Sequence, residues 1–181
     1  RRPPPRPRPR RPARSRPAVA VKLAAMKQLV GLRFALARDA KGWPPVASET
    51  VWAEPIGGDR YRIANAPFFV RELAPGDVVT GVRAPDGVLW SGAFVSASGR
   101  LVVRVVPLRE GPLGGAQEPV FEAFAPLGLR GESGLPQFNV IAFDVPPDAD
   151  LAAVKALLAA GEADGRWDYE EACVTRRWAA L

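Results

Sequence analysis

Along Lys27–Leu36 the apolar residues Val30, Leu32, Phe34 and Leu36 fall at every second position, with Arg33 opposite, a period that predicts a half-buried strand. After a loop containing Trp43-Pro44-Pro45, two aromatic-bearing runs, Val51–Ile56 and Tyr61–Ala64, flank Gly57-Gly58-Asp59 and predict a hairpin. Asn65-Ala-Pro67 breaks the chain, and Phe68-Phe69-Val70 is apolar enough to plug a core. The turn Leu73-Ala-Pro75-Gly76-Asp77 launches a strand over Val78–Val82, and Pro85-Asp86-Gly87 and Ser98-Gly99 bound two more, Val88–Val95 and Leu101–Val106. This first part therefore reads as short antiparallel strands curled into a small open barrel or half-barrel.

Beyond Pro107 the period lengthens. Glu118-Pro119 suits a helix start, because proline tolerates the first helical position, and Val120, Phe121, Phe124 and Leu127 share a helical face. Phe138–Val145 is nearly all apolar, as expected of a central strand covered on both sides. Asp148 or Asp150 can cap a second helix with Leu151, Val154, Leu157 and Leu158 on one face, closed by Gly161. Trp167–Val174 reads as the last strand. The fold class is α+β: a curled antiparallel sheet followed by a β-α-β-α-β half that right-handed crossovers would make ferredoxin-like or ACT-like in outline.

Charge changes the picture at one end. The 181 residues carry a net +6. Arg1–Ala25, however, holds eight arginines and Lys22 with no acid, so the rest has 16 of the 25 basic residues against all 19 acidic ones, a net of −3. The basic character belongs to a Pro/Arg-rich leader, and the body from Met26 to Trp178 is a single, mildly acidic domain. Arg, Pro and Ala are what a GC-rich bacterial genome yields upstream of a gene, and Met26 is the single methionine. The leader thus reads as a misplaced translation start, expected to be disordered. As a real arm it would bind polyproline grooves or, with steep salt dependence, nucleic acid. No apolar run is long enough to cross a membrane. With one cysteine, Cys173, no internal disulfide can form, which suits a reducing cytoplasm.

The sequence contains no histidine. That excludes Ser-His-Asp and Cys-His catalysis and histidine-bearing zinc sites, and a single cysteine excludes cysteine-rich ones. Gly111-Pro-Leu-Gly-Gly115 lacks the Lys-Ser/Thr of a P-loop, and no dinucleotide fingerprint is present. No cofactor, metal or catalytic residue is therefore assigned. Among carboxylates, Asp77 reads as turn chemistry, Asp144 as a strand-end or capping group, and Glu54 as the partner of Arg60 or Arg62 across the hairpin. Cys173 reads as a small buried hydrophobe rather than a reactive thiol. Trp52, Tyr61, Phe68 and Phe69 read as core, against a base-stacking alternative.

Val51-Trp-Ala-Glu-Pro55, Tyr61-Arg-Ile-x-Asn65-x-Pro-Phe-Phe-Val70, Gly76-Asp-Val-Val79, Ser98-Gly99, Asp144-Val-Pro-Pro147 and Trp167-x-Tyr-Glu170 occur in this order. Together they resemble a bacterial family, common in actinobacteria, catalogued as domain of unknown function 4265. The resemblance covers Met26 to Trp178 and implies no activity, cofactor or catalytic set.

The expected function is that of a non-catalytic binding or regulatory module, an immunity protein being one example. It would recognise a protein or small molecule in the groove between the two halves, with Arg60, Arg62, Asn65 and Arg71 as its polar rim. The competing readings are an enzyme that uses only Glu54, Asp77 or Asp144 with arginines, and nucleic-acid binding through the leader. Neither nucleic acid for the body nor a membrane is expected as partner.

Overall fold

The computed structural model describes residues 28–134 and 137–181; the leader expected over Arg1–Ala25 lies outside the described residues. Five strands form the first layer: β1 (Val30–Ala35), β2 (Ser48–Gly57), β3 (Arg60–Ile63), β4 (Val78–Arg83) and β5 (Leu89–Ser96). Consecutive strands pair antiparallel, and β1 returns to β5 through a parallel bridge, Arg33 to Trp90. The sheet is thus a closed barrel, not the open half-barrel that alternation suggested. Register shifts at Pro55/Gly57 and between Val78 and Gly81 supply the extra twist that brings its edges together. Leu32, Val51, Ala53, Ile63, Val79 and Leu89 fill the interior. Gly81 is needed there, because a Cβ at this position would lie 2.6 Å from the Tyr61 ring.

Leu101 opens the second layer rather than closing the first. It comprises β6 (Leu101–Pro107), α1 (Glu118–Phe124), β7 (Arg130–Ser133), β8 (Ile141–Val145), α2 (Leu151–Ala163), β9 (Trp167–Cys173) and the short α3 (Arg176–Ala179). The strand order is β7-β8-β6-β9, antiparallel throughout. The strand β7 was not expected: Arg-Gly-Glu-Ser is short and polar, with no apolar alternation to mark it. Alternation along β6 sends Leu101, Val103 and Val105 towards the helices, where they join Phe124, Phe143, Val154, Leu158, Trp167 and Trp178. Val102 and Arg104 point the other way.

Two helix signals resolve differently. Asp150 caps α2 as expected, accepting the Ala153 amide at 3.0 Å. Gly161, expected to end that helix, lies inside it, because a Cβ there would sit 1.9 Å from the Trp167 ring. The left-handed residue that follows the helix is Gly165, at φ 68°.

The connection from β3 to β4, residues 64–77, leaves the barrel and covers part of the second sheet's other face. Ala66 and Ala74 pack on Val102, Ala142 and Ala172. The Glu72 amide donates to the Ala172 carbonyl at 2.8 Å. Cover on both faces explains why β6 is buried almost throughout. Among the described residues, no helix is long and apolar enough to cross a membrane.

Candidate functional site

The 64–77 connection is held from both sides by charge. The Glu49 carboxylate, on β2, accepts the amides of Phe68 (2.6 Å), Phe69 (2.8 Å) and Val70 (2.8 Å). Arg104, on β6 and only 4% exposed, donates to the carbonyls of Pro67 (3.1 Å) and Val70 and to the Glu170 carboxylate (2.8 Å). Arg71 reaches the second oxygen of Glu170 at 3.1 Å. Burial disfavours the Arg104 charge and lowers its pKa, and Glu170 opposes that effect. Charge-assisted bonds to a carboxylate and a guanidinium therefore pin Phe68 and Phe69 where the barrel meets the sheet.

Among the described residues, the cover stops beyond Phe69. Val106, the next residue of β6 on that face, is 36% exposed. An aromatic-walled groove of about 380 Å³ opens over Val106 and Val140, with Phe68, Phe69, Phe138 and Trp43 around it and Asp168 and Glu170 along its rim. Phe69 stands edge-on to Phe138 (5.1 Å, 88°) and to Trp43 (5.8 Å, 70°). Each wall has its own support. Asp39 accepts the amides of Lys41 and Trp43, both at 2.8 Å. Asn139, left-handed at φ 46°, donates to the carbonyls of Gly115 (3.0 Å) and Pro107 (3.3 Å), which sets the turn that carries Phe138. A second cleft of about 410 Å³ continues past Trp43 towards Leu36 and Arg71. The groove has apolar walls that are already positioned and few polar groups, the usual make-up of a ligand site.

A third cleft, of about 480 Å³, lies between Arg71, Phe94, Arg100 and Cys173. Asp77 and Arg100 within it are already engaged. Asp77 accepts the amides of Ser98 (2.6 Å) and Ala74 (2.8 Å). Arg100 grips Asp144 through two bonds of 2.6 and 2.7 Å, so Asp144, next to the end of β8 as expected, is an ion-pair partner rather than an exposed or capping group. Burial pushes the Cys173 thiol up to about 11, which leaves little thiolate at neutral pH.

The residues singled out as a polar rim do not gather at one place. Arg60 is exposed on β3. Arg62 pairs with Glu54 at 3.3 Å, on the barrel wall. Asn65 accepts the Trp52 amide at 2.8 Å and donates to Ala66 and to Glu132, a linking position. Burial raises the Glu132 carboxyl, and its bonds from Ala66 and Asn65 work against that shift. Of the four, Arg71 alone borders the groove system. Trp52, grouped with Phe68 and Phe69 in the sequence, is exposed elsewhere on the barrel. Trp43, Phe138, Asp168 and Arg104 went unrecognised. Arg104 did carry a signal, as the one charge inside Leu101–Val106. Among the described residues, no group of three His, Cys, Asp or Glu side chains could hold a metal ion.

The model of the family described as Domain of unknown function (DUF4265) matches residues 49–169. This chain belongs to that family. The match takes in Glu49, Phe68, Phe69, Arg104, Phe138 and Asp168; Trp43 and Glu170 fall just outside it. No curated protein matches the chain. A solved structure, described as that of a hypothetical protein from Neisseria gonorrhoeae, aligns over 81% of this chain and 96% of its own at a TM-score of 0.66 and 21% identity. That DUF4265 chain and structure share a fold.

Proposed function

We propose that the protein is a non-catalytic binding module whose ligand places an apolar group in the groove over Val106. One observation carries this reading: the cover on the second sheet ends at Phe69, which leaves apolar strand surface open between fixed aromatic walls. The enzyme reading draws less support, since Glu54, Asp77 and Asp144 are each held by a structural partner, and Glu54 does not line the cleft that Asp77 lines. The mildly acidic body and the separation of Trp52 from Phe69 favour a protein or small-molecule partner over nucleic acid. The strand order β7-β8-β6-β9 supports a ferredoxin-like description of the second layer. The lone cysteine supports a cytoplasmic home, and the GC-rich residue usage an actinobacterial one.

Nile red, a neutral apolar dye, tests the groove. Its fluorescence should rise on binding to one saturable site, and Val106→Gln should weaken that binding by about tenfold, the effect of a polar group on a buried apolar contact. Equal binding by the variant would overturn the assignment.

A further inference from the structure

The groove ends at a strand edge. β9 is the last strand of its sheet, and among the described residues it pairs with no strand but β6. The bond from the Leu108 amide to the Arg166 carbonyl (3.1 Å) fixes the phase of the β6–β9 ladder. With it, Asp168 and Glu170 direct their backbone groups at β6, whereas Tyr169 and Glu171 direct theirs outward. At the far end, a bulge at Ala172 turns its carbonyl out to the Glu72 amide, so the chain itself already bonds to the outer edge of β9 once. Of the next outward positions, Tyr169 lines the groove and Glu171 the third cleft.

We propose that β9 accepts an added strand: an extended, basic segment of another protein, hydrogen-bonded to Tyr169 and Glu171, with an apolar side chain in the groove over Val106. The proposal rests on the groove being a binding site and names what binds there. Side chains of an added strand alternate between the two faces of the sheet. On one face they meet the groove and Asp168. On the other they meet Tyr169, whose phenol pKa is raised by burial and then by the nearby carboxylates of Glu162 and Glu171. Arg104 and Arg71 are offset by Glu170, which pairs with both, and by Glu49, whose charge Arg104 also feels. The remaining charge on both faces is therefore negative, which favours Lys or Arg in the partner.

The same charge disfavours a second copy, because pairing β9 with β9 would bring Asp168 and Glu171 against their own kind. The chain's own leader is basic, but its seven prolines offer no amide to a ladder.

The test uses the full chain and three synthetic peptides. The first is acetyl-Lys-Val-Lys-Phe-Lys-Val-Lys-amide; the second carries Glu in place of every Lys. The third is the first peptide with its strand-facing amides N-methylated, which keeps charge and side chains and removes the donors. The lysine peptide should bind and slow hydrogen exchange at the Tyr169 and Glu171 amides. N-methylation should weaken binding by about tenfold, the worth of two lost hydrogen bonds. The Glu162→Lys/Glu171→Lys double variant should reverse the preference towards the glutamate peptide. Equal binding of the N-methylated peptide, protection confined to Phe68–Val70, or no binding by the lysine peptide would overturn strand addition. Any of these together with normal Nile red binding would leave the groove assignment standing, which separates the two failures.

Discussion

The barrel and the sheet solve the edge problem in opposite ways. Five strands close on themselves through the Arg33–Trp90 bridge, so the barrel has no unpaired strand edge to offer. Its interior is narrow and mainly aliphatic, from Leu32 to Leu89. Among the described residues, the four-stranded sheet remains open at β7 and β9, and it buries Phe124, Phe143, Trp167 and Trp178 against its helices. A closed ring can contribute only its loops to a site, whereas an open sheet contributes both surface and edge. The groove combines the two: Trp43 and Phe69 come from barrel connections, and Val106 and Asp168 from the sheet. The comparison teaches that the proposed ligand surface belongs to the sheet, and that the barrel acts as a clamp which decides how much of that surface stays open.

Removing the clamp should have the largest effect. Arg104→Met leaves Glu170 without its buried partner and frees the carbonyls of Pro67 and Val70. Glu170 keeps Arg71, so the cost is chiefly that of the orphaned carbonyls, about 1–3 kcal/mol each, and a urea titration of the variant should show that loss. The division of labour also predicts that hydrogen exchange will rise first across Phe68–Val70, before either core opens. Simultaneous exposure of both cores would show that barrel and sheet are one cooperative unit, with no separate clamp.

A matched pair of glycines sharpens the contrast. An alanine Cβ at Gly161 would meet the Trp167 ring at 1.9 Å, and one at Gly81 would meet Tyr61 at 2.6 Å. Trp167 is fully buried and tied by its indole N–H to the Leu158 carbonyl at 3.1 Å, while Tyr61 is half-buried at the barrel surface. Overpacking costs about 1–3 kcal/mol, and the side chain that can swing aside determines the lower end. Gly161→Ala should therefore destabilise more than Gly81→Ala in thermal melts. The reverse order would mean that the barrel, not the sheet, is the rigid partner.

The two regions also differed in how legible they were. The barrel strands announced themselves, because one buried face and one wet face produce alternation, as at Val30–Phe34. Closure did not, since a single parallel bridge and two bulged pairings leave no periodic trace. In the sheet, β7 was invisible because an edge strand of Arg-Gly-Glu-Ser has no buried side to pattern. Gly161 looked like a stop, because a glycine required by an aromatic neighbour is spelled the same as one required by a left-handed turn. The groove was the least legible feature. Its residues come from five distant segments, around Trp43, Phe69, Val106, Phe138 and Asp168, and what makes it a candidate site is where the cover on the sheet ends. Arg104 was the accessible clue: a guanidinium inside an apolar strand must have partners, and the partners here build the site.

The smallest effect concerns Cys173, where the connection from the barrel meets the end of β9. Burial raises its thiol from 9.0 to about 11, so the folded chain holds the proton more tightly than the unfolded one. A raised pKa contributes stability that is fully present below the unfolded value and is lost as pH climbs towards the folded one. Wild type should therefore lose stability relative to Cys173→Ala between about pH 9 and 11, and their urea midpoints should converge across that window. Comparison with the variant subtracts the titration of tyrosines and lysines common to both chains. Alkylation gives a second readout: the native thiol should react with iodoacetamide slowly at pH 8 and faster as the pH approaches 11. A constant gap between the midpoints, or fast labelling at pH 8, would mean that the connection seals this end of β9 less firmly than it seals Arg104.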